Sequence, residues 1–273
     1  MKKTLYVVSD SHGHYTELKN ALIKSGFNED NDNHLLIVLG DYFDRGRENL
    51  EVYKYLTDLQ NKGRCIVVKG NHDIMLEKYL DGTIISPWNY MHNGTNETLG
   101  DFLHCTSPFE TYCLFQNLEP TIGEFGRWIE NARNKINKEY PNLLPWLQNL
   151  PYYFETKNYI FVHASIDTGV EDWHKPHCLM YHYKDWEALT WDDGSFFGED
   201  IKNTNKTVVI GHFGTDDLRE KYGLPKSKKP YDILKREDGR IIAIDTCTAL
   251  TKRVNVLVLE DELMEETENG MEI

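Results

Sequence analysis

Seven short runs of β-branched and aliphatic residues recur along this chain of 273 residues. They are TLYVVSD (4–10), LLIVLGD (35–41), CIVVKGN (65–71), YIFVHAS (159–165), TVVIGHF (207–213), RIIAIDT (240–246) and RVNVLVLE (253–260). Several end in a polar residue or a glycine. Because they are apolar on both faces, they read as buried central strands rather than half-solvated ones. Helical patterns fill the gaps between the first three. YTELKNALIKSG (15–26) carries Leu18, Ala21 and Leu22 on one face and stops at Gly26, and ENLEVYKYLTDLQNKG (48–63) carries Leu50, Tyr53, Leu56 and Leu59 and stops at Gly63. Strand, helix, strand, helix, strand in that order requires parallel pairing through right-handed crossovers, so the first half predicts a doubly wound α/β sheet.

Residues 74–157 break this rhythm. They are rich in aromatic and amide residues, contain the helical patterns NETLGDFL (96–103) and GRWIENARNKINKEY (126–140), and close on Pro141, Pro145 and Pro151. The pattern predicts a helical insertion between two halves of the sheet. A second irregular stretch, 171–205, is rich in Trp, His and Asp, and the tail from Glu260 is acidic and expected to fray.

In an open α/β sheet, ligands bind beyond the carboxyl ends of the strands. The first strand is followed by Asp10-Ser11-His12, and the second by Gly40-Asp41 and then Asp44-Arg45-Gly46. The third is followed by Gly70-Asn71-His72-Asp73, the fourth ends in His163-Ala164 and the fifth in Gly211-His212. A lone strand-end Asp is more often a helix N-cap, and a lone His is more often a hydrogen-bonded structural residue. Five such ends in one chain would need that explanation five separate times. The neighbouring glycines let the backbone turn tightly and bring the side chains together. Carboxylate, amide and imidazole without thiolate suit Mn, Fe or Zn in a reactive site better than a structural zinc. Asp10, His12, Asp41, Asn71, His163 and His212 are six such groups, more than one metal needs if it must also hold water and substrate. They match two metals ~3.5–4 Å apart sharing a carboxylate, the arrangement used for in-line displacement at phosphorus. Such a pair would provide a nucleophile from water at neutral pH and neutralise an anionic substrate.

The bulk composition narrows the function further. The formal net charge of −14 repels nucleic acid at long range and disfavours a general DNA- or RNA-binding role, but a local cluster of metal and Arg can still hold a small anion. The five cysteines, at 65, 105, 113, 178 and 247, are odd in number and form no CxxC pair, so reduced thiols in a cytoplasmic protein are expected. Asp10 interrupts the only short apolar run after Lys2 and Lys3, which does not read as a signal peptide, and no run approaches the length of a membrane span.

Asp10-x-His12-Gly13, Gly40-Asp41-x-x-Asp44-Arg45-Gly46, Gly70-Asn71-His72-Asp73, Val162-His163-Ala164 and Gly211-His212 together resemble the phosphoprotein phosphatase (PPP) family, within the calcineurin-like metallophosphoesterases. The resemblance runs in order from Asp10 to about Leu259 and points to the family's bacterial serine/threonine phosphatase-like branch. It implies a single domain over residues 1–273 with an α/β (α+β) fold: a two-sheet β-sandwich flanked by helices, with a helical insertion at about 74–157 and an acidic tail from about 261. Strands 240–246 and 253–260 would then both belong to the second sheet. It also implies roles. Asp10 and His12 bind one metal, Asn71, His163 and His212 bind the other, and Asp41 bridges them. His72 is the general acid or electrostatic stabiliser at the leaving oxygen, oriented by Asp44. Arg45 grips the phosphoryl group, with Asn71 and Lys69 beside it.

Several positions depart from the family pattern. Ser9 stands where Gly is usual, and Lys69 where Arg is usual, which keeps the charge but loses the bidentate fork. In Leu189-Thr190-Trp191-Asp192-Asp193 an Asp falls where the bacterial Trp-x-Arg motif has its Arg, which would remove an anion clamp. Phe213 and Asp245-Thr246-Cys247 replace the usual GHT and Asp-Thr-Gly. Asn93-Gly94-Thr95-Asn96-Glu97-Thr98-Leu99 and Leu150-Pro151-Tyr152-Tyr153 resemble the insertion of bacterial members, including symmetrical dinucleoside-tetraphosphate hydrolases. A dinuclear metal-dependent phosphoesterase acting on phosphoserine or phosphothreonine is therefore expected, with hydrolysis of a dinucleoside tetraphosphate as the alternative. A non-catalytic phospho-ligand binder is the remote one, since its signature would be a broken ligand set. Asp73 is expected to cap the helix begun by Ile74. His174, His177, Cys178 and His182 match no common zinc spacing, and Trp173, Trp186 and Trp191 are expected in the core.

Overall fold

The computed structural model of the chain describes residues 1–83, 92–105, 122–174 and 187–264. His177, Cys178, His182, Trp186, Cys113 and the last residues of the acidic tail lie outside them. Two sheets stack face to face. The first has the strand order β3-β2-β1-β9, built from β1 (Lys2–Val8), β2 (His34–Leu39), β3 (Cys65–Val68) and β9 (Leu257–Glu262). The second has the order β4-β5-β6-β8-β7, built from β4 (Tyr153–Glu155), β5 (Tyr159–Val162), β6 (Thr207–Ile210), β7 (Leu234–Lys235) and β8 (Ile241–Ala243). β1, β2 and β3 pair in parallel, as do β5, β6 and β8, while β9, β4 and β7 close the edges antiparallel.

Strand periodicity explains the layers. Successive side chains point to opposite faces, so a run that is apolar throughout supplies two cores. Leu5, Val7, Leu35, Ile37 and Leu39 face inward against Phe161, Val209 and Ile242 of the second sheet. Tyr6, Val8, Leu36 and Val38 face outward against helices α1 (Tyr15–Lys24) and α2 (Asn49–Asn61), whose Leu18, Leu22, Leu50, Leu56 and Leu59 cover them. On the far side Ile160, Val162, Val208, Ile210, Ile241 and Ala243 pack under Trp173, Leu189, Phe196 and Phe197. Fully burying one such side chain contributes about 1.5–3 kcal/mol, so each layer is a large favourable term. The doubly wound first half thus becomes one leaf of a two-sheet sandwich flanked by helices.

Within 74–157 the described residues are helical: α3 (Asn71–Asp81), α4 (Thr95–Phe102), α5 (Ile122–Glu139) and α6 (Leu143–Gln148). The last residues of that stretch form the edge strand β4. After β6 come α7 (Thr215–Lys221) and, beyond β8, α8 (Thr248–Thr251).

One strand assignment is corrected. Ile241–Ala243 lie in the second sheet as expected, but Leu257–Glu262 join the first, antiparallel to β1 with Leu5 opposite Leu259. β1 has β2 on only one side, and its other edge would leave a row of backbone donors and acceptors unpaired. β9 fills that edge with Leu257 and Leu259 turned to the inter-sheet core and Val258 turned out, 45% exposed. Trp173 is buried, but Trp191 is 41% exposed and does not join the core.

Candidate metal centre

The parallel strands run the same way, so their carboxyl ends deliver Asp10, Asp41, Asn71, His163 and His212 to one edge of the sandwich. Asp10, Asp41, Asn71 and His163 are all nearly inaccessible. The turns that aim them are conformationally expensive. Asp10, His12, Asp41, Asp44, Arg45 and His212 all adopt positive φ, between 43 and 73°. Such values are uncommon outside glycine and collect at functional sites.

Asp41 lies at the centre. Its Oδ2 is 3.8 Å from His12 Nε2 and 3.9 Å from His72 Nε2, while its Oδ1 is 3.4 Å from His163 Nε2. The carboxylate therefore faces two sets of nitrogen at once. Ligand atoms of His12, Asp41 and His72 lie within 4.8 Å of one another, and so do those of Asp41, His163 and His212. Carbonyl oxygens fix two of the rings. His12 Nδ1 donates to Phe43 O at 2.8 Å and His163 Nδ1 to Leu39 O at 2.6 Å, which leaves each Nε2 lone pair facing the cluster. The Asn71 side-chain amide sits 2.9 Å from His163 Nε2 and 3.1 Å from His212 Nδ1.

The electrostatics suit a cation. Burial pushes the Asp10 carboxyl well up, and the neighbouring Asp245 adds to it. Asp245 itself is pushed up to about 6, chiefly by burial. Burial opposes ionisation of Asp41 too, but the imidazoles of His163 and His72 outweigh it and hold that carboxyl well below the usual range. His163 is raised to about 10, since Asp41 outweighs burial there. His212 is lowered to about 4 by burial and by His163. Oxygen and imidazole donors converge here without thiolate, carboxylates crowd one another, and one carboxylate is shared by both sets. That donor set fits a pair of cations of the Mn, Fe or Zn type.

His72 and Asp44 form a separate pair, with Nδ1 donating to Asp44 Oδ2 at 2.7 Å. Burial lowers the His72 imidazole, but Asp41 and Asp44 outweigh it and raise it. Arg45 reaches two imidazoles of the same set, one guanidinium nitrogen 3.0 Å from His12 Nε2 and another 3.0 Å from His72 Nε2.

One placement differs from the sequence-based expectation, that of Lys69. Asp10 Oδ2 accepts the backbone N–H of His212 at 2.9 Å, and His72 Nε2 stands beside His12 and Asp41. Lys69 is drawn elsewhere: its buried ammonium pairs with Glu77 at 2.8 Å and lies over the Tyr152 ring, 5.1 Å from the centroid. An ammonium buried with a carboxylate partner is held there by the cost of separating the charges. Asp193 pairs with Lys221 at 3.3 Å on the surface. Trp191 lies beside His212 instead, with ring centroids 5.8 Å apart.

Asp73 behaves as the capping residue expected of it. Its Oδ2 accepts the N–H groups of Gly70 at 2.8 Å and Asp41 at 2.9 Å, so one carboxylate ties two ligand-bearing turns together. His14 is buried; its Nδ1 donates to His12 O at 2.6 Å and its Nε2 accepts from Lys252 at 2.6 Å. Asp245 is the acid that strand-end reasoning should have included. It follows β8 by two residues, as Asp41 follows β2, and the same rule would have found it.

Gly40 lets the turns approach. At φ +74° an added Cβ would lie 2.5 Å from Gly70 Cα and 2.6 Å from His163 Nδ1. Gly40→Ala is expected to cost at least ~2 kcal/mol in urea unfolding, the left-handed penalty plus a backbone clash, and to weaken metal binding. Gly63→Ala, at φ +66° with nothing near the added carbon, is the control and should lose only the conformational part, about 1–2 kcal/mol. Equal losses in the two variants would mean that the close approach at Gly40 is unimportant.

Comparison with known proteins agrees with this geometry. The family model described as calcineurin-like phosphoesterase matches residues 3–244. A symmetrical bis(5'-nucleosyl)-tetraphosphatase of Buchnera aphidicola is 42% identical over 94 residues, 30% of this chain and 33% of that protein. The chain thus spans only about a third of that relative's length. Serine/threonine-protein phosphatase 2 of Salmonella typhimurium is 26% identical over 222 residues, covering 78% of this chain and 80% of that one. Among solved structures, a cold-active protein-tyrosine phosphatase of a psychrophilic Shewanella shares the fold, with a TM-score of 0.53 over 96% of this chain and 80% of its own at 17% identity.

Proposed function

The chain belongs to the calcineurin-like phosphoesterase family, and on that premise we propose that it is a dinuclear metal-dependent phosphatase that hydrolyses phosphomonoesters, with phosphoserine or phosphothreonine in a protein as the favoured substrate. The observation that carries this is Asp41, whose two oxygens face separate imidazole sets while a hydrogen-bonded His72–Asp44 pair stands beside them.

Asp10, His12, Asp41, Asn71, His163 and His212 would hold the two cations, and Asp10 also accepts the backbone N–H of His212. When bound, two such ions neutralise phosphoryl charge and lower the pKa of water so that an in-line nucleophile is available at neutral pH. The chain's own residues do the rest. Arg45 can shift its fork from the ring nitrogens of His12 and His72 to the phosphoryl oxygens, an orientation suited to bidentate contact. His72, kept in place by Asp44 and biased toward its protonated form by two carboxylates, delivers a proton through Nε2 to the departing oxygen. Positioning and charge stabilisation supply most of the rate.

Mn, Fe and Zn all accept this ligand set, and reconstitution with each is the way to choose among them. The described cysteines, Cys65, Cys105 and Cys247, are free, which fits the reducing cytoplasm. No helix among the described residues is long and apolar enough to cross a membrane.

A dinucleoside tetraphosphate is the second reading, favoured by the Buchnera relative. It is weakened by Lys69, whose charge is paired with Glu77 rather than free for an extra phosphate, and by Asp193, a carboxylate that repels phosphate and is itself paired with Lys221. Side-by-side assays of the manganese-loaded protein on a phosphothreonine peptide and on diadenosine tetraphosphate separate the two. The larger kcat/KM is expected on the peptide, and a tenfold or greater preference for the tetraphosphate would reverse the assignment.

A further inference from the structure

The His72–Asp44 pair does not stand alone, and what stands behind it comes from the inserted helix α4. Thr98 Oγ1 donates to Asp44 Oδ1 at 2.6 Å and accepts from the backbone N–H of Asp44 at 3.0 Å. One hydroxyl therefore grips the same residue at its carboxylate and at its backbone. Both Thr98 and Asp44 are fully buried. Thr95 Oγ1 lies 3.4 Å from the other carboxylate oxygen, the one that His72 uses. Asp101, one turn further on the same helix face, accepts from Asn49 N at 2.8 Å and Asn49 Nδ2 at 2.7 Å, and Asn49 Oδ1 in turn accepts the Asp44 N–H at 2.9 Å. Residues 95, 98 and 101 are spaced by three, so a single face of α4 presents all of them to one turn.

That turn needs holding. Asp44 and Arg45 sit at φ 73° and 64°, consecutive left-handed conformations that no glycine relieves. Gly94 presses the start of α4 against them: a Cβ there would fall 2.2 Å from Arg45 N. A carboxylate buried with one oxygen on an imidazole must satisfy its other oxygen or lose its orientation. Thr98 is the group that satisfies it.

We propose that Thr98 is a positioning residue for the hydrolytic reaction, fixing Asp44 and through it the His72 ring, so that the inserted helix completes the active site. The proposal rests on His72 acting at the leaving oxygen, as proposed above. Valine is isosteric with threonine but cannot donate to the carboxylate; the Asp44 N–H would still have Asn49, so the turn keeps one of its supports.

The test is a double-mutant cycle on the manganese-loaded protein with two aryl phosphates, phenyl phosphate (poor leaving group) and 2,4-dinitrophenyl phosphate (good leaving group). Thr98→Val is expected to lower kcat on phenyl phosphate ~10–100-fold, the usual loss when an outer partner of an active residue is removed, with KM changed less than about twofold. The loss should be much smaller with the dinitrophenyl ester, which needs little proton donation. Thr98→Ser, which keeps the hydroxyl, should recover most of the rate. Thr98→Val should add little to His72→Asn, because residues acting as one unit are not additive. Manganese stoichiometry by equilibrium dialysis should match the parent in every variant. Serine no better than valine, a loss independent of leaving group, or a parallel loss of manganese would each overturn the positioning role. If His72→Asn fell while Thr98→Val did not, Thr98 alone would be refuted. If His72→Asn were fully active, the assignment of His72 would fail and Thr98 with it.

Discussion

Replacing Asp41 with Asn is expected to remove both activity and metal-dependent stability while leaving the apo-protein folded. Asparagine is isosteric and its amide oxygen can still accept the backbone N–H of His72, which Asp41 Oδ1 accepts at 2.9 Å. What is lost is the charge that both imidazole sets face. Metal affinity should fall by more than the ~10–100-fold that loss of an outer partner costs, because both cation positions lose a ligand in one substitution. In the parent, a metal at 100 times its Kd adds about 2.7 kcal/mol to stability. That increment should disappear in the variant, so thermal melts with and without manganese would coincide. The apo melt should change little, since the substitution also removes a carboxylate that raises its buried neighbours Asp10, Asp73 and Asp245. Retained hydrolysis together with a retained manganese-dependent shift would show that Asp41 is not the shared ligand.

Replacing His72 with Asn separates two roles that the geometry brings close together. The His72 Nε2 lies with His12 and Asp41 in one possible ligand set, yet its Nδ1 is committed to Asp44. If His72 acts at the leaving oxygen, kcat on a poor leaving group should fall ~10²–10⁴-fold, equivalent to about 3–5 kcal/mol of the barrier. Bound metal, measured by dialysis on the same sample, should be nearly unchanged. If His72 is a ligand, metal and activity decline together. The distinction matters because Asp10, the expected partner of His12, also holds the His212 backbone through Oδ2.

Much of the site was legible because its residues obey a local rule. A strand that ends in Gly-Asp or Gly-Asn places the next polar side chain at the sheet edge, whatever the rest of the chain does. Asp41 and Asn71 follow that rule, His163 and His212 likewise stand directly at strand ends, and the structure brings the four together. The first parallel leaf was legible for the same reason, since helix and strand periods alternate cleanly through the first 68 residues. What was not legible depended on distant partners. β9 carries no mark of which sheet it joins, because the choice is made by the free edge of β1. Lys69 follows β3 as a binding residue would, yet Glu77 one helix later and the Tyr152 ring draw it away. Thr98 and Asn49 are ordinary helix residues until α4 and α2 are packed, when their hydrogen bonds converge on Asp44. Asp245 was within reach of the strand-end rule, but its Asp-Thr-Cys setting drew attention to the departure at Cys247 rather than to the carboxylate.

A single titration decides whether the two sets sharing Asp41 form a working dinuclear hydrolytic site. Metal-depleted protein is titrated with manganese while bound metal and the hydrolysis of 4-nitrophenyl phosphate are followed in the same samples. The expected result is two manganese ions per chain at saturation, with turnover rising as the second binds. Saturation at fewer than two ions, or two bound ions with no hydrolysis above the metal-free rate, would contradict it.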